Sequence, residues 1–501
     1  MIIKKESDII ASYLEDYSNL SGGFCDSVAI PENENDVIEL LKSASKSSSP
    51  VTITGAGTGV TGGRIPFGGI SLSLEKLNKV LGIIKKDDGT GEAKIEAGVL
   101  LDDFLDIIEK QGFFYPPNPT EKGSSIGGNV ATSASGARSF RFGTTRDFVL
   151  GLRIILSTGE IVDVNRGEVF ADKELNLSLP LSSGKKINVK LPSYVIPPLK
   201  NAAGYYIKPG MDAVDLFIGS EGTLGVVTQI RVKLLKKPES FIECYVFFKE
   251  AESALEFVEN ARLLSKEDKN DSIKTINAIS LEFYDRNSLN FLKQKHPDLP
   301  KDVSAAIYFE QEVNSSTEML VIEAWSELIR RCGSSLDNTW FAQTQRERRR
   351  LQTIRHDLPD LVNEFMKRKG LSKVGTDIAV PDLRLNEMID YYNTVLQDAG
   401  LRYIIFGHIG ESHLHVNILT ENQEQHYKAK ELYELFIKKA LSLGGTVSAE
   451  HGIGKIKHSY LELMYGKKVL IEMAELKKQL DPACILGLDN IFSKELLLKR
   501  P

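Results

Sequence analysis

A chain of 501 residues that is 42% hydrophobic can bury more than one core, so two or more domains are expected. A formal charge of −6 argues against a nucleic-acid binder, and no run of about 18 apolar residues exists to cross a membrane. The four cysteines, Cys25, Cys244, Cys332 and Cys484, lie too far apart for an iron–sulfur cluster, a zinc site or a CxxC redox pair.

The opening MIIKKESDII has neither a long apolar core nor a small-residue cleavage site. Together with reduced thiols this makes a cytoplasmic location the expectation, with peripheral membrane contact left open. Apolar spacing after Pro31 predicts a helix over 32–46, packed beside a strand at 51–54. Five glycines then fall within Gly55 to Gly63, enough to turn the backbone and aim several N–H groups at one anion. Gly57, Gly59 and Gly62 match the GxGxxG spacing of a Rossmann fold, which needs a helix opening inside the loop. Pro66, Gly68 and Gly69 forbid that helix, and residues 70–74 alternate like a strand. The expectation is therefore strand, glycine nest, strand, holding a phosphate; a glycine-rich hairpin that binds nothing is the plain alternative.

A strand at 94–99 and a helix at 100–110, ended by Gly112, complete a first lobe. Residues 116–149 read as a long segment of Gly, Ser, Thr and Asn, open enough for a flat ring to approach. Its cations Arg138, Arg141 and Arg146 are open to steering an anion or to ordinary pairing. Strands follow at 149–156 and 160–164, and 216–230 reads as strand, turn, strand. Glycine-rich character stops near Pro238, and an amphipathic helix over 250–264 begins a part with strand-like stretches at 244–248 and 305–310. The basic run Arg346 to Arg350 lies in helical sequence and reads as a solvated face or an anion contact.

Two later stretches carry chemistry. In GHIGESHLHVN, Gly407 and Gly410 allow a bend, after which His413, His415 and Asn417 share one strand face. In SAEHGIG, Glu450 and His451 precede a glycine turn. Imidazole plus carboxylate suits a borderline divalent metal, and satisfied structural hydrogen bonds are the alternative for each histidine taken singly.

TGAGTGVTGG (54–63), SIGGN (125–129) and GSEGTLG (219–225), in that order, resemble the flavin-contacting segments of the vanillyl-alcohol oxidase and p-cresol methylhydroxylase fold. GHIGESHLH and SAEHGIG narrow the resemblance to its D-lactate, glycolate and D-2-hydroxyglutarate dehydrogenase group. It implies an α+β chain: a two-lobed FAD-binding domain over 1–238, an antiparallel-sheet substrate domain covered by helices over 239–430, and a C-terminal helical segment over 431–501. That last segment would pack back on the FAD domain and carry part of the active site.

The implied cofactor is FAD, held without a covalent tether by Gly55, Gly57, Thr58, Gly59, Thr61 and Gly62, then Ser125, Gly127, Gly128, Asn129, Thr132 and Gly136. Glu221, Gly225, Val227 and Asn490 complete that set. His408, His415 and Glu450 match ligands of a divalent metal, zinc or manganese; Arg355, Lys373 and Asn417 match substrate contacts, and His451 the general base. His413 stands where many relatives carry asparagine, which makes it an added ligand or a changed hydrogen bond. Pro359 replaces a threonine contact of the D-2-hydroxyglutarate enzymes, which puts their second-carboxylate recognition in doubt. The implied activity is oxidation of a D-2-hydroxyacid to a 2-oxoacid, with electrons passing on to a quinone, an electron-transfer flavoprotein, a cytochrome or oxygen. A redox-neutral alkyl-glycerone-phosphate synthase and a non-catalytic electron-transfer flavoprotein remain open on the same fold.

Overall fold

Asn33 caps the first long helix by accepting the Asp36 amide, and Val37, Leu40, Leu41 and Ala44 then fall on one buried face of Glu34–Ser47. The computed structural model describes residues 1–267, 275–342 and 344–498. The first sheet has the order Ile2–Lys4, Ser27–Ile30, Ile70–Ser73, Val51–Thr54. Its last three strands are parallel, with Val51 opposite Ile70 and Thr54 opposite Ser73. A hairpin would pair them antiparallel, so the glycine loop is a crossover that returns without a helix. Gly57, Gly62, Gly68 and Gly69 supply the positive φ that such a return needs.

The second sheet has the order Val80–Lys85, Gly91–Glu96, Val226–Lys236, Val149–Ile155, Ile161–Asn165 and is antiparallel. The helix expected at 100–110 is Leu101–Glu109. Two expectations fail here. Residues 116–149 are not one open segment: Ser125 caps a helix Ile126–Thr132, a short helix Ser139–Phe142 follows, and Thr144 and Asp147 form a capping box on Thr145–Phe148. The first strand expected within 216–230 is instead the end of a helix, Ala213–Phe217, opened by the Asp212 side chain on the Val214 amide. Short apolar runs fit either element, and the caps decide.

Past Pro238 the chain enters a third sheet, antiparallel throughout, ordered Thr339–Ala342, Ser240–Phe248, Ala305–Val313, Ser280–Asp285, Tyr403–Gly407, His413–Ile418, Val374–Gly375. Ile378–Ala379 also pairs with His413–Ile418. Helices Ala251–Lys266 and Glu318–Arg331 and the 25-residue Gln345–Lys369 pack on it. The basic run lies at the start of that long helix, where Arg348 donates to the Ser240 hydroxyl and Arg350 pairs with Asp298. Arg138 grips Glu310 of the third sheet through Nε (2.9 Å) and Nη2 (2.7 Å), Arg141 pairs with Glu312, and Arg146 pairs with Asp215. These three arginines tie elements together rather than stand free to steer an anion.

After helices His458–Tyr465 and Lys467–Leu480 the chain returns to the first sheet. The Val51 amide donates to Ile485 O (2.7 Å) and the Gly487 amide to Val51 O (2.9 Å). No helix among the described residues is long and apolar enough to cross a membrane, and the four thiols are unpaired.

Candidate active site

A cavity of about 1050 Å³ runs between the glycine loop, the helix Ile126–Thr132 and the third sheet. Gly55, Gly57, Thr58, Gly59 and Thr61 line it, as do Ser125, Gly127, Gly128, Asn129 and Thr132, and then Glu221, Gly225, Val227 and Asn490. Gly62 and Gly136 do not. Gly62 is a glycine for its positive φ of +72°, whereas a Cβ on Gly136 would stand only 2.2 Å from Asn118 O, so protein backbone packs against it. Gly59 is the reverse case. Its φ is not positive, and a Cβ there would meet only Asp16 Oδ2 at 4.0 Å. The bare backbone at Gly59 widens the cavity beside the turn, as a bulky phosphate-bearing cofactor requires. Cavity volume and this cradle both fit FAD.

The same cavity holds the histidines. Gly407 at φ +123° and Ser412 at φ +53° bracket a short 3₁₀ turn, Ile409–Glu411, which folds His408 back over the strand His413–Ile418. His408 Nδ1 lies 2.6 Å from Glu282 Oε1 and His415 Nδ1 3.0 Å from Thr376 O, so each ring has one nitrogen anchored. The free Nε2 atoms converge on Glu450 Oε1, at 3.3 Å from His408 and 3.4 Å from His415. His413 joins them: one ligand atom from each of His408, His413, His415 and Glu450 can be chosen so that all lie within 4.8 Å of one another. Anchored imidazoles turned toward one carboxylate make a donor set that fits a divalent metal. His413 sits behind the cavity wall, whereas His408, His415, Asn417 and Glu450 line it.

Charge in this cluster is tightly compensated. Burial alone would raise the Glu450 carboxyl, but Lys200, His408 and His413 hold it well below its usual range. Lys200 Nζ sits 2.8 Å from Glu450 Oε2 and 3.4 Å from Glu411. Burial opposes charge on His408, yet Glu282 and Glu450, against Lys200, push it up to about 9. Burial lowers His413 to about 3 despite Glu450 and Asp377.

His451 is likewise lowered by burial to about 4, against Asp377 and Glu450, so it is neutral at pH 7, with burial opposing its protonation. Its Nε2 is 3.6 Å from Glu450 Oε1, and its ring stacks on His415 at 5.5 Å. Arg355, on the long helix, points its Nε at Glu282 Oε2 (3.4 Å) and faces the cavity. Lys373 also lines the cavity and has no ion pair or hydrogen bond among the described residues; burial lowers its pKa. Two cations lining one cavity suit a carboxylate.

Three residues escape a reading of the sequence. Asp377 accepts the amides of Ala449 (3.2 Å), Glu450 (3.1 Å) and His451 (3.0 Å), the Ser448 hydroxyl and the Lys457 ammonium, and so pins the segment that carries Glu450 and His451. Glu282 orients His408 and Arg355, and Lys200 neutralises Glu450. Only Glu282 left a signal, an acid inside the apolar strand Ser280–Asp285.

Residues 25–165 match the family described as FAD binding domain, and residues 270–488 match FAD linked oxidases, C-terminal domain. The chain is 28% identical over 481 residues to the glycolate oxidase subunit GlcD of Bacillus subtilis (strain 168), covering 94% of this chain and 89% of that protein. It is 29% identical to a D-lactate dehydrogenase of Anaerostipes hadrus over 92% of this chain and 88% of that one. It is 26% identical to a probable mitochondrial D-2-hydroxyglutarate dehydrogenase of Oryza sativa subsp. japonica, covering 99% and 80%. Among solved structures, an alkyldihydroxyacetonephosphate synthase superposes with a TM-score of 0.65 over 97% of this chain and 81% of that one. At 16% identity that likeness speaks for the fold alone.

Proposed function

Because the chain belongs to the FAD-linked oxidases, we propose that it oxidises a D-2-hydroxyacid of the lactate, glycolate or 2-hydroxyglutarate type to the 2-oxoacid. The observation that carries this reading is that His408, His415, Glu450 and His451 open on the same cavity as the glycine loop, which Arg355 and Lys373 also line.

In this reading Arg355 and Lys373 hold the substrate carboxylate, and Asn417 orients the adjacent hydroxyl. His451, neutral at pH 7, takes the hydroxyl proton, and Asp377 stands 3.5 Å from its Nδ1 to steady the imidazolium that forms. FAD, when bound, supplies the acceptor for the hydride that leaves the substrate carbon. His408, His415 and Glu450 would hold a divalent ion, zinc or manganese, which would supply Lewis acidity favouring loss of the hydroxyl proton.

The test is anaerobic bleaching of the flavin by a panel of D- and L-2-hydroxyacids. Bleaching by one or more D-acids and by none of the L-acids is expected. A flavin that stays oxidised with every acid in the panel would remove the substrate class from the reading.

A further inference from the structure

We propose that His413 is a third imidazole ligand of the metal site, and that it tilts the site toward zinc over manganese. The inference rests on the metal reading given above and deepens it.

Two of the three rings are anchored by a hydrogen bond, and the third is not. Glu282 holds His408 Nδ1 and the Thr376 carbonyl holds His415 Nδ1, leaving both Nε2 atoms toward Glu450. His413 is mounted the other way round. Its Nε2 lies 3.1 Å from Asp377 Oδ1, off the line of an ideal hydrogen bond, and its Nδ1 faces Glu450 Oε2 at 4.0 Å. Its side chain is fully buried, and neither ring nitrogen has a hydrogen-bond partner.

A buried ring nitrogen without a partner is rare and needs an explanation. If Nε2 carries the proton toward Asp377, Nδ1 turns a lone pair on a carboxylate, acceptor against acceptor. If Nδ1 carries it, 4.0 Å is too long for a hydrogen bond to Glu450. A divalent cation between the ring and the carboxylate satisfies both. With an ion bound, Asp377, 3.1 Å from Nε2, would steady His413 much as Glu282 steadies His408, leaving Nδ1 free to ligate. The backbone keeps the ring there, since Ser412 in the left-handed region turns the chain and the His413 amide donates to His408 O (3.2 Å).

The third nitrogen changes which ion fits. Imidazole suits zinc, whereas manganese prefers oxygen donors, and the divalent series already binds zinc more tightly than manganese. Three nitrogens and one carboxylate therefore widen a preference that two nitrogens would leave smaller.

The experiment uses the flavin-loaded protein, cleared of metal with a chelator and titrated with zinc and manganese chlorides in competition, the bound ions counted by mass spectrometry. Against the parent, His413→Asn should keep its flavin spectrum and lose at least about tenfold in the zinc-to-manganese affinity ratio. A ratio within about twofold of the parent's would overturn the proposal. Because His413→Asn can also disturb a buried strand, X-ray absorption at the zinc edge of the parent gives an independent reading. Three coordinated imidazoles are expected there, and two would overturn the proposal. A parent that binds neither ion would sink the metal reading itself, which is a different outcome from a parent that binds zinc through only two histidines.

Discussion

Replacing Asp377 with asparagine should detach the segment bearing Glu450 and His451. The Asp377 carboxylate is 1% exposed and accepts three consecutive backbone amides as well as Ser448 Oγ (2.7 Å) and Lys457 Nζ (2.8 Å). Asparagine keeps one carbonyl oxygen and turns an NH₂ group toward the remaining donors. Hydrogen bonds to a charged acceptor are worth about 1.5–3 kcal/mol each, and stranding a buried partner such as Lys457 costs about 3–5 kcal/mol. These contributions overlap, so a local loss of about 4 kcal/mol is a fair order of magnitude. That suffices to open a segment roughly a thousandfold more often. Metal content after dialysis should fall at least tenfold or so, and anaerobic flavin reduction should slow by about a hundredfold or more. FAD, cradled on the other lobe, should stay bound. Asp377→Asn protein with the parent's metal content and reduction rate would refute the idea that this carboxylate holds the site together.

Gly59→Val should weaken FAD binding by about tenfold or more without lowering the melting temperature of the flavin-free protein, because its side chain enters the cavity and no protein atom; unchanged FAD affinity would mean the loop does not face the cofactor. Acid precipitation should leave a yellow supernatant, and colour retained in the pellet would show a covalent flavin. The buried Glu243 carboxyl is pushed up to about 7 by burial and Glu310, against Tyr308, Gln352 and Arg138. The folded protein therefore binds that proton more tightly than the unfolded chain, and stability is lost as pH rises from the ordinary carboxylate range through about 7. Glu243→Gln should gain on the parent in denaturant melts over that window, and a pH-independent difference would contradict the assignment.

What the sequence reveals here is what is local. The cap and apolar spacing of Glu34–Ser47, the crossover glycines and the histidine turn are each encoded within a dozen residues, and the structure realises them. Gly62 and Gly136 show the limit of motif reading: a glycine inside a loop motif serves the backbone turn or neighbouring protein atoms as readily as a ligand, and only the φ of Gly62 and the packing of Asn118 on Gly136 tell which. The helices hidden in 116–149 depend on single capping side chains, Ser125 and Thr144, whose effect is small until tertiary contacts fix them. Lys200 and Asp377 are invisible for a deeper reason. Each acts on residues far along the chain, Lys200 on Glu450 and Asp377 on Ser448 to His451, so their roles exist only once the third sheet and the C-terminal turn meet. His413 belongs between these cases: its strand position is legible, but its orphaned nitrogen is a fact of three dimensions.

The most direct test of the catalytic assignment is single-turnover anaerobic reduction of the flavin, with elemental analysis, in the parent, His415→Ala and His451→Ala proteins. All three should retain FAD. His415→Ala should lose the metal and the reaction together, whereas His451→Ala should keep the metal while its flavin stays oxidised in the presence of a D-2-hydroxyacid that bleaches the parent. Rapid reduction of the His451→Ala flavin, or full turnover by chelated, metal-free parent protein, would contradict the assignment of base or metal respectively.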